Sequence, residues 1–497
     1  MNVYDKLTEP VAMAVFVATL FLPVVVGLLA LRRTKSQSDF FVGGRAMGKL
    51  VVALSAVSSG RSSWLVLGLS GMAYKLGAGA VWAIVGYTTV EALQFVTLGK
   101  RLRAATQRYD SITLLDYFES RFGDDKHRIR IAGAIIIGVF ITAYVAAQFN
   151  GGAKSLSAAL EIPMAWTLVI SAVLILIYMV LGGYVAVALN DVVRAIIMLI
   201  GLVVLPVYGL IAAGGFDALW STLGELQPKH VDPLALGLGG AIGFVAIGLG
   251  SPGQPHIVVR YMSIDDPANL RFAAIIGTFW NVVLGLGAIC VGLLGRALVP
   301  AVESLPDQDP EMVYLVLSSQ YFGPALYGLL VGGIFAAILS TADSQLLVVA
   351  STAVRDVGEK ILNIKALADE TTKLKASRWV VILSGIVALV LAFVAEDLVF
   401  WLVLFAWGGL GASLGPPLLL ALYWRRTSRA GVLAGMVTGA LTTIVWKLWI
   451  KEPTGVYELI PAFGGSLLAV VAVSLLGRPP ARADESAPAA SESDDRA

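Results

Sequence analysis

Thirteen stretches of mostly apolar residues, each 18–30 residues long, run through this 497-residue chain, and they restrict its fold more than anything else in the sequence. A helix needs about 20 such residues to cross the hydrocarbon core of a bilayer. The stretches fall at 10–31, 48–74, 78–99, 129–153, 163–182, 184–213, 234–254, 271–296, 321–350, 378–395, 398–423, 430–450 and 456–477. Open strands leave their backbone unsatisfied in lipid, so each stretch is expected to be a helix. The fold class this implies is all-α, a polytopic membrane protein of about 13 transmembrane helices. Only 14% of residues are charged, against about a quarter in soluble domains.

The same reading narrows the function. A net charge of +2 gives no reason to expect a nucleic-acid partner. Cys290 is the only cysteine and the three histidines lie far apart, so neither an internal disulfide nor a metal cluster is expected, and no cofactor. No large soluble domain is left over and no nucleophile–base set is visible, so no enzyme is expected. The first stretch is too long for a signal-peptide core and lacks a basic flank, so no cleaved leader is expected. The segment 478–497, rich in Pro, Ala, Ser and Asp, reads as a disordered tail. With the N-terminus outside and the spans alternating, 27 of the 36 Lys and Arg fall in inside segments and 7 in outside ones. The positive-inside rule therefore favours N-terminus out and C-terminus cytoplasmic. The two basic residues left over, Arg61 and Arg194, lie within spans.

Charge inside a span costs at least about 2.5–3.5 kcal/mol per group and tends to be functional. Arg61, Glu91, Asp191, Arg194 and Asp343 are the clear cases. Asp191 and Arg194, three apart on one helix face, could neutralise each other. Glu91, near the inner end of its stretch, could snorkel. Arg61 and Asp343 lie mid-span. Two spans also look broken. Ser55-Ala56-Val57-Ser58-Ser59-Gly60-Arg61-Ser62-Ser63 sets serines, a glycine and an arginine at membrane depth, and Gly248-Leu249-Gly250-Ser251-Pro252-Gly253-Gln254-Pro255-His256 sets glycines and prolines there. Such backbone persists in a membrane where it lines a protein cavity, and its freed groups can hold ions and solute. Four spans separate the two breaks, the spacing expected of inverted five-helix repeats with a midplane site. In the ninth span, Ser340-Thr341 offers two hydroxyls, a weak signal alone because such pairs bond back to their own helix.

These residues resemble the sodium/solute symporter family, and within it the bacterial sodium/proline symporters, over roughly 40–475. The likeness is carried by Leu114-Leu115-Asp116-Tyr117-Phe118 with Arg121-Phe122, by Gly250 to Met262 around Gly-Gln-Pro-His, by Leu339-Ser340-Thr341 continuing to Gln345-Leu346-Leu347, and by Ala406-Trp407-Gly408-Gly409-Leu410-Gly411-Ala412 with Gly415-Pro416. The resemblance implies inverted repeats of leucine-transporter type: an extra N-terminal helix and inner loop over 1–47, repeats over 48–213 and 214–423, two C-terminal helices over 424–477, and the tail. It implies a sodium site built from the carbonyls of Ser58, Arg61 and Ala337 and the hydroxyls of Ser340 and Thr341, with Asp191 at a second cation position. It places Trp64, Tyr144 and Gln148 at the substrate cavity, beside Ser59, Gly60, Ser251 and Gln254 of the broken stretches.

The departures from that pattern set up a further expectation. Proline symporters carry Asp-Met where this chain has Gly60-Arg61, a serine where it has Asp343, and aromatics where it has Ile247, Ser251 and Pro252. An arginine gained on one helix and a carboxylate on the helix facing it predict an Arg61–Asp343 ion pair across the cation site, with the guanidinium standing in place of sodium. The alternative is that Arg61 binds a substrate carboxylate. The expected activity is cation-coupled symport, with sodium as coupling ion, of a small organic solute such as an amino acid or carboxylate in a bacterial inner membrane. A sodium-independent or proton-coupled transporter, or a transporter-like nutrient sensor, are the rivals. The expected partners are the solute and membrane lipid, with no obligate protein partner.

Overall fold

The computed structural model describes residues 6–31, 37–181, 183–395 and 398–477. The tail 478–497 and part of the basic segment 32–49 lie outside them. The described residues form helices, together with one isolated bridge between Met47 and Ile264. The membrane-scale helices are α1 (Pro10–Leu31), α2 (Lys49–Ser63), α3 (Ser70–Leu76), α4 (Val81–Leu93), α5 (Arg128–Leu160), α6 (Met164–Leu181), α7 (Tyr184–Ala212), α8 (Gly237–Val245), α9 (Pro255–Ser263), α10 (Leu270–Leu298), α11 (Pro324–Ser351), α12 (Glu370–Val394), α13 (Val399–Tyr423), α14 (Arg429–Val445) and α15 (Leu459–Leu476).

Among the described residues nine helical runs are long and apolar enough to cross a membrane, and ten if a bent pair counts as one span. The difference from the thirteen stretches in the sequence has visible sources. The second and third stretches join into one 60-residue helical run over Lys49–Arg108, and the described apolar parts of the first and fifth, Pro10–Pro23 and Met164–Ile177, are short. The chain is an integral membrane protein: its outward side chains include Ile135, Trp166, Leu238, Ile275, Phe279 and Val390, all exposed and apolar.

Both expected breaks are present. In the first, the helix runs unbroken through the serines to Arg61 and breaks at Ser62, which has φ 37° and ψ −174°. A non-glycine residue in such a region costs about 1–3 kcal/mol and needs support. Here the Ser62 N–H donates to Thr341 Oγ1 at 3.0 Å, and the Ser62 hydroxyl accepts from the Trp64 N–H at 3.1 Å. In the second, α8 passes through a tight 3-10 stretch over Ala246–Gly253 to an extended Gln254, and α9 leaves at 54°. Pro252 and Pro255 bracket the turn and cannot donate backbone hydrogen bonds there.

The glycines of the family-like motif serve close approach. A Cβ on Gly250 would lie 2.0 Å from Trp407 Nε1, and one on Gly411 would lie 2.4 Å from the Gly250 Cα. So α13 meets the second break backbone to backbone, as small residues allow between membrane helices. The Leu114–Phe122 motif lies at one end of the bundle, where buried Arg130 gathers Glu119 at 2.6 Å, Asp116 at 2.9 Å and Asp356, tying that short helix to α5 and to the extension of α11. At another end of the core, buried Glu311 accepts from the Val399 and Phe400 N–H groups at 3.0 and 2.9 Å and pairs with Lys154 at 2.8 Å. It satisfies the orphan donors that open α13. Glu311→Ala should therefore cost about 3 kcal/mol and lower the melting temperature of the purified protein in detergent, whereas Glu303→Ala, at an exposed site, should leave it unchanged.

Candidate functional site

The break in α2 is surrounded by α4, α7, α9, α10 and α11, and the face each residue presents decides its partner. The Ser58 carbonyl and the Ser62 N–H face α11, while the Ser58 hydroxyl donates to the Asp191 carbonyl at 3.1 Å. Ser340 Oγ lies 3.0 Å from the Ser58 carbonyl and 2.9 Å from the Ala337 carbonyl, donating between them. Thr341 Oγ1 receives the Ser62 N–H. Four hard oxygens, all neutral and all buried, thus converge from two helices at the point where one is broken. Unwound carbonyls and half-helix ends of this kind suit a small cation. The Arg61 carbonyl accepts from the Trp64 N–H on the same turn.

The Arg61 side chain turns the other way. Its guanidinium pairs with Glu91 of α4 and lies 3.9 Å from the centroid of the Tyr87 ring. Glu91 also accepts from Asn281 Nδ2 at 2.7 Å. The expected Arg61–Asp343 pair is therefore not formed, and the guanidinium does not stand among the cation-site oxygens. Ser58 meets α11 through its backbone carbonyl, whereas the Arg61 side chain leaves α2 toward α4 and the Asp343 side chain leaves α11 toward α7. Asp343 meets Arg194 of α7 at 2.6 Å. The Asp191–Arg194 separation is 3.9 Å, a looser contact than either makes elsewhere. Glu91 does not snorkel; it is buried beside the break. A Cβ on Gly60 would lie 3.1 Å from Ile257 Cδ1 and 3.6 Å from Glu91 Oε1, so the backbone of the break packs closely on α9 and beside the α4 carboxylate.

Asp191 belongs to a denser network. It accepts from Ser55 Oγ at 2.7 Å, from Ser59 Oγ at 3.2 Å and from Arg260 Nη2 at 3.2 Å. Arg260 also reaches Ser344 Oγ at 2.5 Å and Ser55 Oγ at 3.0 Å. Sequence reasoning missed Arg260. It follows the second break and is counted there with inside loop charges, whereas the bend of α9 carries it back into the core, where it is about 1% exposed. Its signal was available, since the Gly-Gln-Pro-His break places it on the next helical turn.

Gly60, Arg61, Trp64 and Tyr144 line one narrow hollow of about 10 Å³, walled by Ile247 and Trp407 among others. Three of the other expected substrate residues are committed elsewhere. Gln148 Oε1 accepts from the Ser63 N–H and hydroxyl at 3.0 Å each. Ser251 donates to Gln94 at 3.3 Å. Gln254 donates to the Gly250 and Trp407 carbonyls at 3.1 and 2.9 Å. Ser59 faces Asp191 and Ser344, on the opposite side from the hollow. Trp407, not singled out for the cavity in the sequence, donates to the Ile247 carbonyl at 2.7 Å and forms part of the wall.

Two further hollows flank this centre. One of about 510 Å³ lies along α8, α13 and the segment before α15, and shares Ile247 and Leu404 with the small hollow. The other, of about 30 Å³, is lined by Arg260, Ser344, Thr113 and Asp356. Trp64 stacks on Phe400 at 5.7 Å, between the small hollow and the larger one.

Two broken helices around a neutral oxygen cluster, with a narrow polar hollow beside it and a wider one along α8 and α13, define a secondary transporter of the broken-helix class. The comparisons agree. The model of the "Sodium:solute symporter family" matches residues 40–439, so the chain belongs to that family, and its activity is sodium-coupled symport. "Sodium/proline symporter 2" of Staphylococcus saprophyticus is 38% identical over 456 residues, covering 90% of this chain and 89% of that protein. The "Sodium/proline symporter" of Staphylococcus aureus is 37% identical over 457 residues, with 90% and 89% covered. A Na+-coupled sialic acid symporter, solved in a substrate-bound outward-open state, shares the fold with a TM-score of 0.77 at 18% identity, over 94% of this chain and 98% of that one. A nucleobase-cation-symport-1 family transporter in a closed conformation gives 0.54 at 14%, over 89% and 96%.

Removing one member of a buried ion pair costs about 3–5 kcal/mol, because the other is left in a low dielectric. Asp343→Ser should accordingly destabilise the protein by about that amount in thermal melts. Adding Arg194→Gln should recover most of the loss, whereas the same Arg194→Gln added to Glu91→Gln should not.

Proposed function

We propose that this chain takes up a small organic solute, an amino acid or a carboxylate, by sodium-coupled alternating access. The observation that carries the reading is the placement of Ser340 Oγ within hydrogen-bond reach of both the Ser58 and Ala337 carbonyls. In this reading sodium is held by those carbonyls, the Ser340 and Thr341 hydroxyls and the Arg61 carbonyl. The Ser340 hydroxyl proton, which bridges the carbonyls in the cation's absence, turns outward when the ion enters. Asp191 and its serines form a second polar centre one turn away. The solute occupies the hollow at Gly60, Arg61, Trp64 and Tyr144.

The hollows on either side of that centre are the two access routes. The repeats over 48–213 and 214–423 would contribute one broken helix each, and rocking of the broken-helix bundle against its surroundings would open one route as it closes the other. Sodium and solute both favour the closed arrangement, and this reciprocity is what couples them. The basic-residue distribution supports an N-terminus outside and a cytoplasmic C-terminus in a bacterial plasma membrane. Proline, the solute in the relatives' names, is the first to test. Gly60 in place of a carboxylate, and Ile247 and Ser251 in place of aromatics, change the chemistry of the site.

In proteoliposomes, an inward sodium gradient should drive solute accumulation, and a proton gradient alone should not. Ser340→Ala and Thr341→Ala should raise the sodium concentration for half-maximal uptake by more than about 10-fold, with little change in solute affinity at saturating sodium. Uptake driven equally well by protons with sodium absent would assign the coupling to Asp191, Glu91 or Asp343 instead.

A further inference from the structure

The buried charges around the two sites cancel. Arg61, Arg194 and Arg260 face Glu91, Asp191 and Asp343, and all six are at most about 2% exposed. Every carboxylate in the set has an arginine partner: Glu91 with Arg61, Asp343 with Arg194, and Asp191 with Arg260. The cation-site side chains, by contrast, are hydroxyls. A sodium ion bound there introduces one positive charge for which this set holds no counter-charge, and an unmatched charge in a dry interior is strongly disfavoured.

The solute hollow has the complementary deficit. Among the residues lining it, Arg61 Nε, Trp64 Nε1 and Tyr87 Oη are buried without a hydrogen-bond partner among the described residues. Two of these are obligate donors and the third can donate. Buried polar atoms are seldom left unmatched, and a cluster of unmatched donors calls for an acceptor. The rest of the wall is apolar or aromatic, with Ile247, Val403 and Leu404 beside the rings. Glu91, the one carboxylate at the hollow, already serves Arg61 and Asn281.

We infer that the solute is a short monocarboxylate without a cationic group, that Arg61 with Trp64 anchors its carboxylate, and that it crosses with one sodium in an electroneutral cycle. This inference rests on the sodium-symport reading above. The anion supplies both the acceptor that the hollow lacks and the negative charge that the sodium requires. A zwitterion meets the donors but returns a positive charge to a site with no free carboxylate. A dicarboxylate leaves one negative charge over. Glu91, the carboxylate beside the break, is committed to Arg61, so the compensating charge arrives with the solute.

The test uses the purified full chain in proteoliposomes, with radiolabelled pyruvate, proline and succinate as probes under an inward sodium gradient. Potassium and valinomycin set the membrane potential to zero or to inside-negative. Expected is sodium-driven accumulation of pyruvate that changes less than about 2-fold between the two potentials, with proline and succinate at least about 10-fold slower. A cycle moving one net charge would change accumulation by more than 10-fold at a physiological potential, and that result overturns the inference. Sodium-driven proline uptake without pyruvate uptake overturns it too, while leaving sodium symport intact; no sodium-driven uptake of any probe overturns both. Arg61→Met with Glu91→Gln keeps the buried set neutral. This double variant should lose pyruvate uptake by more than about 10-fold while sodium still raises its melting temperature. Retained pyruvate uptake in that variant removes Arg61 as the anchor.

Discussion

A guanidinium in the middle of a bilayer protein must find a carboxylate, and where Arg260 finds one decides how the centre of this molecule is assembled. The residue leaves the second broken helix and reaches Asp191 of α7, Ser55 of α2 and Ser344 of α11. One side chain thereby joins four elements. One turn along the same α2–α11 contact, the oxygens of Ser58, Ala337, Ser340 and Thr341 form a second seam, with the strained Ser62 held by Thr341. The first broken helix is held by both seams. Its interrupted backbone is tolerated because both its freed groups and its neighbours' charges are satisfied there.

The two seams differ in strength, and that difference suits a moving part. Arg260, Asp191 and the Arg194–Asp343 pair are charge-assisted and buried, so parting them without replacement is costly. The seam through Ser340 and Thr341 is built of hydroxyls and carbonyls, each bond worth about 0.5–1.5 kcal/mol net. On the proposed reading, an ion that replaces the Ser340 hydroxyl proton between two carbonyls biases the α2–α11 contact without dismantling the charged side.

Much of this was legible in the sequence, and the part that was not has a common cause. Hydropathy showed the spans, and the Ser-Gly-Arg and Gly-Pro runs showed the breaks, because a break is a local property of the chain: Pro252 and Pro255 remove donors wherever the helix points. The cation-site set Ser58, Ala337, Ser340 and Thr341 came from the family pattern, and the structure brings those residues together. Partner choice was not legible. Arg61 and Asp343 lie on neighbouring helices, but the structure brings Glu91 of α4 to one and Arg194 of α7 to the other, a choice that spacing along a single helix does not reveal. Gln148, Ser251 and Gln254 sit near the cavity in sequence pattern, yet their amides and hydroxyl are used to hold the breaks in shape. Arg260 was hidden by the bend itself, since a 54° turn returns to the core a residue that linear counting assigns to a loop.

Neutrality of the buried set also bears on turnover. An empty symporter must return to its starting side, and any net charge carried by its moving part would have to cross the membrane field at about 2.3 kcal/mol per charge per 100 mV. With Arg61 tied to Glu91, Arg194 to Asp343 and Arg260 to Asp191, this buried set adds no net charge to the empty protein. Carboxylates left unpaired to attract a cation would make the return step depend on potential. On the proposed reading, a site of neutral oxygens gives up some intrinsic affinity for the ion, and in return the set around it stays neutral when the site is empty.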